Sequence, residues 1–569
     1  MEVPEFLFNL NLSTDKLIDH ITQITRWVRL SGSEEEAKSF AYLEEQLKNI
    51  GAIVTHMHHD AYISLPENAA LVVGGTQFPC QTHSLVPSTS KEGVQAEIVY
   101  VSSGRDGLSK ADIRGKIVMI DGRAVGEPVT LAQNMGASGM IFISSEHIYE
   151  MCLSTVWGSP TIDTVNQLPQ IPVVSVTQDT GEGIKQLLAW DKSSAILKTV
   201  VRTEWCKIPI LIAEVKSPAI TDKFIMLSGH VDSWYYGATD NAAANSVMLE
   251  IGRLAADNVN KLRRNLRLVF FSGHSHGRYA GSTWYADNLW EDLHKNCYLN
   301  INADVLGCQG AEDVTRAVTM TEPRGVVIDV VKKITGANFI GKRYARHADQ
   351  SFWGPGVSST LASFSKQPAK VSHSGAFSRP LGGPADLGWW WHTPDDTLDK
   401  VDPANLLRDA RIFAAIALHF CCSPIVPLDF RPTAEELVGI LEDWQRQAGK
   451  LFDLQIPLQR AKRLQEDVER LYVNRPQDTG DQSAVRKFNT TLLKLERALV
   501  PLNYTQGKIF ENDGAVSQPP MPALAKIKDL TTTNDADKQK FILVELVRRR
   551  NYVAHALEEA IEVIQEYFI

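Results

Sequence analysis

Between Phe224 and Asp304 the chain sets histidine and aspartate just past a series of short apolar runs. The runs Phe224–Gly229, Leu266–Ser272 and Leu299–Ala303 are rich in β-branched and aromatic residues, and each predicts a buried strand. His230 and Asp232 follow the first, His274 and His276 the second, and Asp304 the third. In an open α/β sheet the ligand crevice lies beyond the carboxyl ends of the strands, so the three runs deliver to one place. Asp240 lies in a loop just before a helix predicted over Asn245–Ala255 from Val247, Ile251 and Leu254. Imidazole nitrogens and carboxylate oxygens converging in this way are ligands for zinc or a similar divalent ion.

The stretches GHVDSW, GATDNAA and INAD, with WWWHTPDDTLDKVD around His392, resemble peptidase family M28, which holds aminopeptidases and glutamate carboxypeptidases. By that resemblance His230, Asp240, Asp304 and His392 fall on metal-ligand positions, Asp240 bridging two ions. Asp232 falls on the carboxylate that orients the ligating histidine. Asp349, in the segment Arg346–Trp353, falls on a substrate-pocket position. Arg278 and Tyr279 stand beside the site, where they either read a substrate carboxylate or pack.

One place departs from the family. Where its members carry Glu-Glu-x-Gly, the first glutamate a general base and the second a metal ligand, this chain has His274-Ser275-His276-Gly277. Counting from the strand puts His274 in the base position and Ser275 in the ligand position; counting back from Gly281-Ser282 puts Ser275 and His276 there. The first register is preferred, because the strand fixes it and a loop absorbs one extra residue. Histidine has an ordinary pKa suited to proton transfer at neutral pH, which makes His274 a candidate base. A serine hydroxyl is a poor ligand for the second ion. That ion is then weakly held, absent, or bound by His392 with a histidine of the His274/His276 pair.

The elements that must position these residues divide the chain in three. Residues 14–50 carry two helical patterns, Leu17, Ile21 and Ile24 forming one apolar face and Ala37, Phe40, Leu43 and Leu47 another. Residues 61–206 turn to short β-rich runs whose sequences GKIVMIDG, AQNMGASGMIFIS and PQIPVVSV resemble a protease-associated domain, with a short helix expected over Ala132–Gly139. The metal domain, 1–60 with 207–427, follows around that insert. Residues 428–569 are helical, with apolar residues at Leu437, Ile440, Leu441 and Trp444, at Phe488, Leu492, Leu495 and Leu499, and at Leu557, Ile561, Ile564 and Phe568. The expected fold is α/β: a zinc-peptidase sheet with flanking helices, a β-rich insert and a C-terminal helical domain. In the glutamate carboxypeptidase and transferrin-receptor branch that the layout resembles, such a helical domain forms a homodimer.

A net charge of −9 gives no reason to expect nucleic acid or an anionic membrane as partner. The apolar runs are strand-length, so none is expected to span a bilayer, and the N-terminal residues show no signal-peptide pattern. Seven scattered cysteines without a C-x-x-C pair suit reduced thiols in a cytoplasm. The expectation is a zinc-dependent hydrolase of peptide or amide bonds. Two alternatives stand beside it: a metal enzyme of changed reaction, such as a non-peptide amide hydrolase, cyclase or acyl-transferase, and a non-catalytic, receptor-like binding protein.

Overall fold

The computed structural model of the chain describes residues 3–102, 107–368 and 386–569. Helices α1 (Thr14–Ile24) and α2 (Glu34–Asn49) lead in, and the predicted apolar faces are buried except for Ala37, which lies exposed in the first turn of α2. Ser13 and Ser33 cap them, each hydroxyl accepting from a backbone N–H three residues on.

Strand β1 (Ile53–Val73) carries the chain from the metal domain into the insert. There β2 (Val94–Val101), β3 (Ile117–Asp121), β4 (Gly139–Ile143) and β5 (Val173–Val176) pair in parallel around their own apolar cores. Helix α3 (Gly126–Asn134) starts earlier than the sequence predicts and ends sooner. Pro128 fits its first turn, where a missing N–H costs nothing, and Gly136 at φ 86° turns the chain towards β4. Strand β6 (Ser194–Val215) returns antiparallel to β1 along its whole length, with a bulge between Pro66 and Asn68. This ribbon joins the insert to the metal domain, and residues 60/61 and 206/207 lie inside its two continuous strands.

In the metal domain β7 (Phe224–His230) is buried throughout. Helix α4 (Ala243–Asp257) packs on the sheet, and β8 (Asn265–Phe271) and β9 (Cys297–Asn302) lie parallel to β7 on either side of it. β8 pairs in turn with β6, and β9 with the short β10 (Ser359–Thr360). Helix α5 (Pro403–Cys422) covers the sheet, capped by Asp402 with Pro403 in its first turn. The C-terminal region contributes α6 (Arg431–Ala448), α7 (Gln455–Val473), α8 (Gln482–Tyr504) and α9 (Ala536–Phe568). Their apolar faces join the same buried cluster as α1, α2, α4 and α5, so this region is fused to the metal domain rather than tethered to it. No helix among the described residues is long and apolar enough to cross a membrane.

Candidate metal centre

Because β7, β8 and β9 are parallel neighbours, their carboxyl ends open on one edge of the sheet. β7 ends in His230 itself. Two residues past β9, Asp304 brings Oδ1 to 3.5 Å from His230 Nε2. Asp240 enters from the loop before α4, with Oδ1 3.1 Å from His230 Nε2 and Oδ2 3.2 Å from His392 Nε2. The four residues that the motifs single out therefore meet, with Asp240 between the two imidazoles. Asp396 holds that loop in place, accepting hydrogen bonds from the Thr239 N–H and hydroxyl and from the Asp240 N–H at 2.8–3.0 Å.

His230 Nε2, Asp240 Oδ1 and Asp304 Oδ1 are buried and have no hydrogen-bond partner. Buried polar atoms without partners are expensive, and a divalent cation held at this point would offset that cost. Nitrogen with carboxylate oxygen is the donor set of zinc, so the residues present fit such an ion. The local field shows the same convergence. Burial works against charge on His230, but Asp240 and Asp304 overcome it and hold the pKa well above the ordinary value. Burial also opposes the Asp240 carboxylate, and His230 and His392 hold its pKa well below the usual range.

Asp232 does two jobs with different atoms. Its backbone carbonyl accepts from His230 Nδ1 at 2.9 Å, fixing the ring with Nε2 towards Asp240, while its carboxylate stays 3.7 Å from that nitrogen. The carboxylate instead accepts from the Ser275 N–H and the Ser31 hydroxyl, both at 2.8 Å, and from the His274 N–H at 3.3 Å. It thus pins the loop in which the family's two glutamates are replaced.

That loop sends its two histidines in opposite directions. The His274 ring stacks on His230, centroids 3.7 Å apart and planes within 13°. Its Nδ1 lies 2.8 Å from Oδ2 of Asp349, which is buried. Asp349, expected in the substrate pocket, therefore reaches the site through His274. His276 turns away to Ser31 and Trp234 and lines a cavity of about 450 Å³ with Glu150 and Gln81. Burial pushes its pKa down to about 4. Among the described residues, the His, Cys, Asp and Glu ligand atoms close enough to share one ion are those of His230, His274 and Asp304, all within 4.8 Å of one another.

Tyr279 packs edge-on against His274 at 4.9 Å, and the Arg278 guanidinium lies 5.1 Å from the Tyr279 ring centre. Arg278 Nε is buried without a partner. Across the site Trp391 stacks on His392 at 3.4 Å, with the Arg123 guanidinium 5.1 Å from its ring. Trp390 is buried and donates to Thr239, so two of the three consecutive tryptophans pack, while Trp389 is 43% exposed. Arg278, Tyr279, Ala348 and His392 all take positive φ between 52° and 71°, a concentration of costly backbone around one site.

Sequence reasoning missed what the insert supplies. Glu150 exchanges backbone contacts with His392, its carbonyl 2.5 Å from Nδ1 and its N–H donating to the His392 carbonyl. Gly158 N–H donates to the Arg278 carbonyl, and Trp157 packs on Tyr279 and Trp353. The C-terminal region closes the third side, Arg346 pairing with Asp513 and Arg278 donating to Ala515. No local sequence pattern announces these contacts, which join residues far apart in the chain.

Residues 211–417 match the model of Peptidase family M28, and residues 83–184 match that of the PA domain. A probable glutamate carboxypeptidase of Zea mays is 24% identical over 41% of this chain and 33% of its own length. Carboxypeptidase Q of Xenopus laevis is 24% identical over 48% and 60%, and aminopeptidase YwaD of Bacillus subtilis 25% identical over 49% and 58%. The chain thus spans between a third and three-fifths of these relatives. Among solved structures, a peptidase M28 precursor from Shewanella amazonensis superposes with a TM-score of 0.58 at 21% identity, over 74% of this chain and 96% of that one. An aminopeptidase from Aneurinibacillus sp. gives 0.54 at 23%, over 72% and 94%. His230, Asp240, Asp304 and His392 all lie within the residues that match peptidase family M28, and the β-rich insert holds those that match the PA domain.

Proposed function

We propose that the chain is a metal-dependent hydrolase of peptide or amide bonds. The observation that carries this reading is the convergence of His230 Nε2, Asp240 Oδ1 and Asp304 Oδ1, buried and unpartnered, at the carboxyl ends of parallel strands in an M28 domain. Those three residues, with His392 on the far side of Asp240, line the proposed zinc site. A bound zinc ion lowers the pKa of water towards neutrality and polarises a carbonyl. The chain's own residues do the rest. Asp232 fixes His230 through its carbonyl and the 274–275 loop through its carboxylate, and Asp396 fixes Asp240. His274 turns Nε2, the nitrogen that its Asp349 contact leaves free, towards the centre. Trp157, Tyr279 and Trp391 restrict water around the reacting groups.

Arg278 and Arg123, on either side of the histidines, suit a substrate that ends in a carboxylate. This agrees with the glutamate carboxypeptidase name of the maize relative and favours a C-terminal over an N-terminal cut. The proposed assembly is a homodimer through residues 428–569, supported by Phe541, Val544 and Val547, which stand 76%, 56% and 41% exposed on α9. Seven unpaired cysteines support a reducing, cytoplasmic setting. The replacement of both glutamates favours, as a second reading, a metal enzyme acting on a non-peptide amide.

The test is to load the full chain with zinc and follow a library of peptides and acyl-amino acids by mass spectrometry. Free and C-terminally amidated forms belong in it side by side. Release of C-terminal residues from free but not amidated peptides is expected. Turnover confined to N-terminal residues rejects the carboxypeptidase form, and no turnover of any amide rejects the hydrolase.

A further inference from the structure

The family's base position is filled here by a residue of different chemistry, and its geometry says what that residue does. His230 and His274 lie face to face, 3.7 Å apart and nearly parallel. Each has Nδ1 engaged at the protein side: His230 with the Asp232 carbonyl at 2.9 Å, His274 with the Asp349 carboxylate at 2.8 Å. An acceptor at Nδ1 keeps a proton there, which leaves Nε2 of each ring as the nitrogen that can meet an ion. A carboxylate behind a histidine in this way is the usual outer partner of a ligating imidazole. The two rings and Asp304 hold their ligand atoms within 4.8 Å of one another. On the opposite side of Asp240, His392 Nε2 stands 3.2 Å from Oδ2, and in the register counted from the strand Ser275 takes the place of the family's second glutamate.

We infer that His274 is a metal ligand, that Asp349 is its positioning carboxylate, and that the centre holds one ion, bound by His230, His274 and Asp304 with Asp240 beside them. The replacement of the two glutamates is then one coordinated change. The second ion is given up, and the residue that served as base in the family becomes a nitrogen donor to the first. This rests on the proposed metal-dependent function for its context but is read without any substrate.

The experiment uses cobalt as the probe on the full chain. The metal-stripped parent is titrated with Co²⁺ and is expected to take up one equivalent; uptake of two overturns the one-ion centre. His274→Cys is the decisive variant. If residue 274 touches the ion, its cobalt form gains a near-ultraviolet thiolate-to-cobalt charge-transfer band that the parent lacks. A His274→Cys protein that binds cobalt without the band overturns the assignment. Asp349→Asn is expected to weaken zinc binding on the order of 10- to 100-fold in competition with a chromophoric chelator, as loss of an outer-shell partner does. Restoring the carboxylate with Asp349→Glu should recover part of it, whereas unchanged affinity in Asp349→Asn overturns the positioning role. Should His274→Cys not fold, His274→Gln takes its place, with a loss of zinc affinity of at least 100-fold expected and parental affinity refuting. A chain that shows the band but cleaves no amide removes the hydrolase reading and leaves this one standing. A hydrolase without the band does the reverse.

Discussion

Arg29 offers the sharpest test of how the lead-in segment builds the site. It is completely buried between α1 and the loop that follows β7. Its guanidinium donates to five backbone carbonyls: Val231 at 2.8 Å, Tyr236 at 2.7 Å, Gly237 at 3.0 Å, Trp27 at 3.1 Å and Ile24 at 3.4 Å. Three of these lie on the path from His230 to Asp240, so one side chain fixes the loop that carries both. Burial lowers its pKa to about 10, and the fields of Asp396, Asp232 and Asp240 work against that fall and keep it charged. Replacing it by methionine keeps the volume and removes every donor. At about 1 kcal/mol for each orphaned carbonyl the loss is roughly 5 kcal/mol, and release from burying a charge returns part of it, leaving about 3 kcal/mol. Arg29→Lys, with one ammonium for five carbonyls, should fall between. Urea unfolding of the metal-free protein measures the first effect, and zinc competition the second, which should be a loss of at least tenfold because Asp240 loses its register with His230. A methionine variant within 0.5 kcal/mol of the parent and with parental zinc affinity would refute this account of the loop.

Gly237 has φ 52°, and a Cβ there would stand 2.2 Å from the Asp240 carbonyl oxygen, so Gly237→Ala should weaken zinc binding without disturbing the PA insert, as zinc titration and proteolysis of the insert would record. His83 is buried in the insert with only Ser175 at its Nε2, and burial pushes its pKa down to about 3. Its folded pKa is below the unfolded value, so the unfolded state takes up the proton first and stability falls as pH drops below about 6.5, by about 1.4 kcal/mol per unit until about pH 3. Hydrogen exchange in the insert at pH 5 and pH 7 should show that slope in the parent and lose it in His83→Gln; equal slopes would exclude His83 as the cause. Phe541→Asp with Val544→Asp should turn a dimer into a monomer in sedimentation, and a parent already monomeric at micromolar concentration removes the proposed assembly.

Much of this was legible in the chain because its signals are local. The apolar runs ending at His230, before His274 and before Asp304 are strands, and strand ends decide where side chains can meet. Helices α1 and α2 follow from spacing and serine caps. The ribbon of β1 and β6 was not legible as two long strands: Leu65-Pro66-Glu67-Asn68 looks like a turn, and the structure accommodates it as a bulge. Helix α7 was likewise not singled out, its apolar face of Leu464, Val468 and Leu471 being thinly spaced among charges. The partners of the site were the least visible. Asp349 meets His274 across 75 residues, and Glu150 meets His392 across 242, distances over which no periodicity carries information.

The loss of both glutamates invites the reading that the site has decayed into a binding surface, and the energetics argue against it. A site without metal gains by exposing, neutralising or pairing its charges, since an uncompensated buried carboxylate is costly. Here Asp240, Asp304 and Asp349 remain buried, each with one oxygen lacking any hydrogen-bond partner, and His230 presents an equally unpartnered Nε2 to the first two. Around them the supporting contacts are complete. Asp396 spends both oxygens on the Asp240 loop, and Asp232 spends its carboxylate on the very loop where the substitutions lie. The histidines offset part of that cost, and a cation held at their centre would offset the rest. The substitutions in the 274–276 loop are then a change in how that cation is held, and the imidazole of His274, backed by Asp349, is the donor that the loop offers to it.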